Sequence, residues 1–345
     1  MEKFFLGTYT KRLSKGIYSF DFDVNTGEPS RLKLVGTAGN PTYLAMGNNN
    51  LIYCIDNSSQ YSLNNGGIKV FDVSQNPAKI VYHLHDAPIS GAYISFDKNT
   101  RRLFTANYHA NQLSMYRVNQ SSCTLLDRID DIGEVGPEKE QKDGPHPHFI
   151  NLTPEGRVVV CDLGLDKIFI YDISNKNRLE LKTTFTLPAG FGPRHIRFDL
   201  KRKVSYVVGE LSSNVATLKY DEKSGIFGLI QITHTIPAWW NRYNGAAAIR
   251  ISKDFKNLYV TNRGYNSVAV FEIHEHGYLK LIQNVECGGD FPRDLKFSLD
   301  DRFALVANQK SDNLSVFKRQ KASGLLELVN NNFKVPEPTA IVALK

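Results

Sequence analysis

Residues 103–116 read LFTANYHANQLSMY, and the same design returns as VVVCDLGLDKIFIY at 158–171, LYVTNRGYNSVAVF at 258–271 and ALVANQKSDNLSVF at 304–317. Each stretch is an apolar run, a small polar residue, a short polar turn and a second run of alternating apolar residues that ends on an aromatic. Alternation at a period of two around central turn residues is the pattern of a β-hairpin. Superposing the hairpins places Asn107, Asp162, Asn262 and Asn308 in one column, which Thr8, Asp56 and Glu210 join from less regular copies. Successive members lie 46 to 55 residues apart by subtraction, so the chain carries seven copies of a unit of about 50 residues.

A second column is in step with the first. Ahead of each hairpin stands a short strand in which apolar residues alternate: PTYLAM from 41, GAYISF from 91, PHFINL from 147, PRHIRF from 193, AAAIRI from 246, PRDLKF from 292 and PTAIVA from 338. Proline opens five of the seven, which suits a first strand residue that owes no N–H to a ladder. The chain begins inside a unit, at a hairpin, and ends on the strand that should precede that hairpin. A linear stack would leave two raw sheet edges, whereas a ring completed by the last strand leaves none at its ends. Four strands per unit and seven units in a closed ring predict an all-β, seven-bladed β-propeller spanning 1–345 as a single domain.

Composition narrows the function. Charged residues make up 22% and hydrophobic residues 41%, as in a soluble protein with an ample core. The net charge of +7 is dispersed, with Lys and Arg among Asp and Glu and no basic block, so nucleic acid is not the expected partner. No apolar stretch has the length of a signal-peptide core or a membrane span, which gives a cytoplasmic expectation and no membrane partner. Cys54, Cys123, Cys161 and Cys287 are scattered without a CxxC pair and read as reduced thiols rather than zinc ligands or disulfides.

In a propeller the innermost strands line a central channel, and their N-terminal ends open on one face. The second residues of the seven strands, Thr42, Ala92, His148, Arg194, Ala247, Arg293 and Thr339, therefore become neighbours. The hairpin column adds Glu210 and, one residue beyond Asn262, Arg263. His148, Arg194, Glu210, Arg263 and Arg293 are expected to converge at one mouth, as an anion-binding site or as arginine–carboxylate struts between blades.

Several of these stretches together resemble the seven-bladed lactonase family, which includes 6-phosphogluconolactonases and carboxymuconate cyclases. They are FFLGTYT at 4–10, HPHFINLTPEGRVVVCDLGLDKIFIY at 146–171, GPRHIRF at 192–198 with GELSSNV at 209–215, IRISKDFKNLYVTNRGYNSVAVF at 249–271, and PRDLKFSLDDRFALVANQKSDNLSVF at 292–317. The resemblance implies hydrolysis of a sugar lactone at a His/Arg/Glu site, without metal or other cofactor. His148, Arg194, Glu210 and Arg263 stand where the family's motifs carry those residues. It departs at Ala248, where a carboxylate is common and whose loss is expected to alter charge near the site, and at Glu140, where an arginine is common in what reads as a loop.

A lactonase must deliver water to an ester carbonyl and hold the charge that develops on its oxygen. His148 suits the first task as a neutral imidazole, with Glu210 either orienting it or acting as the base itself. Arg194, Arg263 and Arg293 suit the oxyanion and an anionic substituent, because a guanidinium offers a fixed fork of donors. The expected substrate is a small anionic sugar lactone, 6-phosphogluconolactone of the oxidative pentose phosphate route. Another anionic ring is the alternative enzyme reading, and a non-catalytic scaffold the alternative class.

Other motifs are thin: there is no GxSxG, GxGxxG, P-loop or HExxH. Three His-x-His pairs invite a metal reading, but His274/His276 flank a glycine turn, His83/His85 fall in an outer strand, and Pro147 separates His146 from His148. His109 and His195 read as loop or packing residues. Trp239 and Trp240 sit in a connection, as a packed cap or a lid, with packing the expectation. The loop at 130–144 leads into the His148 strand and could cover the mouth.

Overall fold

In a computed structural model the chain is described over residues 1–57, 66–75, 77–87, 89, 91–119 and 121–344. Among these, seven four-stranded antiparallel sheets stand in a ring. Blade 1 pairs Pro338–Ala343 with Glu2–Thr8, Gly16–Asp23 and Glu28–Thr37, so both ends of the chain share one sheet. The innermost strands of blades 2 to 7 are Leu44–Met46, Tyr93–Asp97, Pro147–Leu152, Pro193–Asp199, Gly245–Ile251 and Pro292–Phe297. Each packs against the next, and Pro338–Ala343 touches both Pro292–Phe297 and Leu44–Met46, which closes the circle.

Burial follows the sequence pattern. Second strands such as Val158–Asp162 are buried throughout, whereas outermost strands such as Leu179–Thr186 bury little. The core lies between blades. Where blade 7 meets blade 1, Phe4, Phe20, Phe22, Phe303 and Leu305 form one buried cluster, with the rings of Phe22 and Phe303 edge-on at 5.5 Å. Full burial of each such side chain is worth about 1.5–3 kcal/mol, so the closing seam is held by packing as well as by ladder hydrogen bonds.

The register explains how the channel mouth is furnished. Pro147 faces Asp162 and Phe149 faces Cys161, so His148 has no partner across the ladder. Arg194 is skipped in the same way between Pro193/Gly209 and His195/Val208, and Arg293 between Pro292/Asn308 and Asp294/Ala307. Thr339 is skipped in blade 1, and in blade 6 the register jumps from Ala246/Asn262 to Ile249/Val260. A β-bulge at the second position of an innermost strand re-aims that side chain.

The same register corrects the hairpin column. Gly209, not Glu210, pairs with Pro193 and so occupies the position of Thr8, Asp162, Asn262 and Asn308. A Cβ at Gly209 would lie 2.6 Å from the Phe191 carbonyl oxygen, so this copy cannot carry the usual Asn or Asp. Glu210 is instead one residue beyond the column, the station of Tyr9, Tyr108 and Arg263. The column residues themselves are fasteners: Asn107 Nδ2 donates to the Ile89 carbonyl at 2.6 Å, Asn262 Nδ2 to Thr235 at 3.0 Å, and Asp162 accepts from the His146 amide at 2.8 Å.

Candidate functional site

A cavity of about 360 Å³ opens at this mouth, and His148, Arg194, Glu210, Arg263 and Arg293 all line it. Second-position residues Thr42, Ala92 and Thr339 complete one ring of its wall, while Ala247 contributes a carbonyl that accepts from Arg194 Nη1 at 2.9 Å. The station beyond the column supplies a second ring through Tyr9, Asn57, Tyr108, Glu210 and Arg263.

Glu210 is the centre of one side. Its Oε2 lies 2.8 Å from Arg194 Nε and 2.8 Å from Arg263 Nη2, joining blades 5 and 6. Burial pulls the carboxyl upward, but Arg263 and Arg194 outweigh it and hold it at about 2, so Glu210 is a carboxylate. Arg263 also donates from Nε to the Gly245 carbonyl at 3.0 Å. Burial and the facing Arg263 bring Arg194 down to about 10.

His148 is buried, and its Nδ1 has no hydrogen-bond partner among the described residues. Burial first, then Arg194, depresses its basicity well below the usual histidine range, against the opposing pull of Glu210. The imidazole is therefore neutral, and Tyr108 and His195 bracket it edge-on at 5.8 and 5.4 Å. His195 is almost wholly buried and packs against Tyr43, Tyr93 and Phe149. His146 supports from behind: its ring stacks on Tyr108 at 4.2 Å and its Nε2 lies 2.8 Å from Asp143.

The opposite side has a different character. Arg293 stands 5.2 Å over the Tyr9 ring and Lys11 4.8 Å over the same ring, with Arg293 Nη1 reaching Gln309 Oε1 at 3.4 Å. Among the described residues neither cation pairs with a carboxylate. Arg293 is the main cause of a lowered Tyr9 hydroxyl pKa. Tyr9, Lys11 and Tyr108 went unread in the sequence, although the station beyond Asn262 that yielded Arg263 also yields Tyr9 beyond Thr8 and Tyr108 beyond Asn107.

Three expectations need correction. Ala248 does not line this cavity; it is fully buried in a cluster with Tyr259 and Leu295. None of residues 130–144 lines it either. That segment is pinned beside the mouth by Gln141, whose Nε2 donates to the Leu163 carbonyl and to Asp166 Oδ1 at 2.8 Å each, and Glu140 sits in a short 3-10 turn rather than a plain loop. Trp239 is 71% exposed, with edge contacts to Trp240 and Tyr265, so it caps no core. His83, on the outermost strand of blade 2, lies 2.6 Å from Asp56, and no group of three metal-ligating side chains is found among the described residues. No helix among them is long and apolar enough to cross a membrane.

The ring of seven sheets and the charged mouth are those of a propeller lactone hydrolase, and the chain belongs to the seven-bladed β-propeller lactonase family, whose model matches residues 3–343. Among its relatives, a 6-phosphogluconolactonase of Bacillus subtilis is 34% identical over 344 residues, covering 98% of this chain and 97% of the relative. A Lactobacillus plantarum protein of known structure is 37% identical with a TM-score of 0.95, covering 100% of this chain and 99% of that one. The periplasmic gluconolactonase of Pseudomonas aeruginosa is 25% identical with a TM-score of 0.91 over the same shares.

Proposed function

We propose that the chain is a 6-phosphogluconolactonase, acting in the cytoplasm on the product of glucose 6-phosphate oxidation, and that it needs no metal. The observation that carries this reading is the pairing of a neutral, unengaged His148 with two kinds of arginine: Arg194 and Arg263 fixed by Glu210, and Arg293 left without a carboxylate. The B. subtilis relative carries the same activity in its name. A cavity of about 360 Å³ is within the range of small-molecule sites.

In this mechanism His148 takes a proton from water as the water oxygen bonds to C1 of the lactone. The carbonyl π electrons move to its oxygen, and Arg194 and Arg263 stabilise that oxyanion from preset positions. Collapse breaks the bond from C1 to the ring oxygen, which receives the proton from His148 and leaves as the 5-hydroxyl. The new carboxylic acid then ionises. Glu210, held as a carboxylate by two arginines, positions them and is not the base. Arg293, with Lys11, binds the 6-phosphate, and the incoming dianion raises the basicity of His148 when it is needed.

A second reading, an unphosphorylated gluconolactone, is favoured by the P. aeruginosa relative. The test is hydrolysis of freshly generated 6-phosphogluconolactone beside gluconolactone, with His148→Ala and Arg263→Ala and with a chelator present. The proposal expects a rate well above spontaneous opening, loss of roughly 10²–10⁴-fold in the variants and no effect of chelator. No acceleration by the wild type overturns the activity, and full rate in both variants overturns the site.

A further inference from the structure

Column residues fasten neighbouring blades, and at one joint the fastening calls for a proton. The residue that follows each outermost strand is buried: Ala38, Asp131, Leu187, Thr235, Cys287 and Val335 in blades 1 and 3 to 7. At the joint of blades 5 and 6, Asn262 donates from Nδ2 to the Thr235 carbonyl at 3.0 Å and accepts the Thr235 hydroxyl at 2.7 Å. At the joint of blades 6 and 7, Asn308 Nδ2 lies 3.4 Å from the Cys287 carbonyl. Donor meets acceptor in both places. At the joint of blades 3 and 4 the corresponding residues are Asp162 and Asp131, and carboxyl meets carboxyl.

Asp162 is 0% exposed and Asp131 2%. One oxygen of each is engaged: Asp162 Oδ1 accepts the His146 amide at 2.8 Å and the Leu165 amide at 3.0 Å, and Asp131 Oδ1 accepts the Tyr171 hydroxyl at 2.8 Å. The other oxygen of each, Oδ2, finds no donor among the described residues, although the two side chains lie within hydrogen-bonding reach of one another. Two carboxylates in contact and out of water cannot both stay ionised, and a proton turns one of them into the missing donor. Burial first, then the Asp162 charge, lifts the Asp131 carboxyl well above its ordinary range, and burial lifts Asp162 as well. The titratable groups that face the pair are Asp130, Tyr108, His146, Cys161 and Tyr171. Of these only His146 can be cationic, and its Nε2 lies 2.8 Å from Asp143.

We infer that Asp131 and Asp162 hold one proton between them, and that this acid pair is a pH-sensitive fastener of blade 3 to blade 4 beside the mouth. Asp162 Oδ1 grips the His146 amide two residues before His148, so loss of the proton loosens the entrance to that strand. The inference stands on the joint alone and does not depend on the lactonase reaction.

The test compares the full wild-type chain with Asp131→Asn and, separately, Asp162→Asn. An amide in either place supplies the donor that the proton supplies, and Asn already stands in the same column at 107, 262 and 308, so both variants are expected to fold. An unfolded aspartate releases its proton near pH 4, whereas the folded pair keeps it; the stability this proton supplies is present at low pH and is lost as pH rises. From about pH 5 to 6.5 the folding equilibrium constant of the wild type should fall about tenfold per pH unit relative to either variant, one proton's worth. The infrared band of a protonated carboxyl should be present in the wild type at about pH 6 and missing from both variants. Equal pH slopes in the wild type and the variants, or a wild type without that band, overturn the shared proton. If one variant fails to fold, the other carries the comparison. Protection of the His146 and Leu165 amides from hydrogen exchange should decline with rising pH in the wild type and stay level in the variants. Level protection in the wild type overturns the fastening role.

Discussion

On the blade 5 and 6 side of the His148 cavity, Glu210 lies 2.8 Å from each of two arginines; on the blade 7 and 1 side, Arg293 and Lys11 flank the Tyr9 ring with no carboxylate between them among the described residues. The first arrangement satisfies its charges internally, so its geometry is set before any ligand arrives. The second leaves its charge to be met from outside. Preset donors suit charge that develops during a reaction, and unmet cations suit charge a substrate already carries. Variants on each side should therefore fail differently.

The largest effect is expected at the compensated side. Glu210→Gln leaves Arg194 and Arg263 facing each other in a buried place, which should cost about 3–5 kcal/mol in denaturant unfolding. It should also lower kcat/KM for the lactone by roughly 10²–10³-fold. A variant with wild-type unfolding midpoint would show that Glu210 is not the counter-charge the geometry makes it. On the open side, Arg293→Ala should leave stability nearly unchanged and cost roughly 10–100-fold in kcat/KM, the worth of contacts to a charged group of about 1.5–3 kcal/mol. That loss should appear with 6-phosphogluconolactone and not with gluconolactone. Equal losses on both would remove Arg293 from the phosphate.

Much of this geography was legible from spacing. The repeat of about 50 residues, the closing strand from the C-terminal end and the second-position ring are all properties of one-dimensional periodicity. What periodicity could not show is the bulge. Strict alternation puts the second and third residues of a strand on opposite faces, yet His148 and Arg194 line the cavity while Phe149 and His195 pack together directly beneath. The same one-residue ambiguity placed Glu210 in the fastening column, because Gly209 lacks the side chain that would have marked its register. Tyr9 and Lys11 escaped for another reason: their role depends on ring closure, which brings the first hairpin beside Arg293 of the last full blade.

A third prediction separates the two kinds of charge by pH. His148 and His195 are held neutral in the folded chain by burial, with Arg194 adding to the effect, whereas their unfolded counterparts protonate near 6.5. Below that pH the unfolded state binds more protons, so stability should fall by about 1.4 kcal/mol per pH unit for each histidine. Glu210, depressed from 4.5 to about 2, should add its own loss only as pH drops below about 4.5. Unfolding curves at pH 7.5, 6.0 and 5.0 measure the first window, and His195→Phe should reduce its slope by about one proton's worth. A slope that is the same in the wild type and in His195→Phe would mean that this imidazole takes up its proton in the folded state.

The smallest effect is expected at Lys11, which shares the open side with Arg293 but is exposed. An exposed cation contributes about 0.2–1 kcal/mol and is screened by salt, so Lys11→Ala should lower kcat/KM for the phosphorylated lactone by no more than about fivefold at low ionic strength. Near 0.5 M salt, where the Debye length is about 4–5 Å, that difference should vanish. The Arg293→Ala defect should persist there, because its guanidinium is partly shielded by Tyr9 and meets the ligand at contact distance. If both defects disappear together in salt, the open side acts only by drawing anions toward the mouth, and the phosphate is held elsewhere.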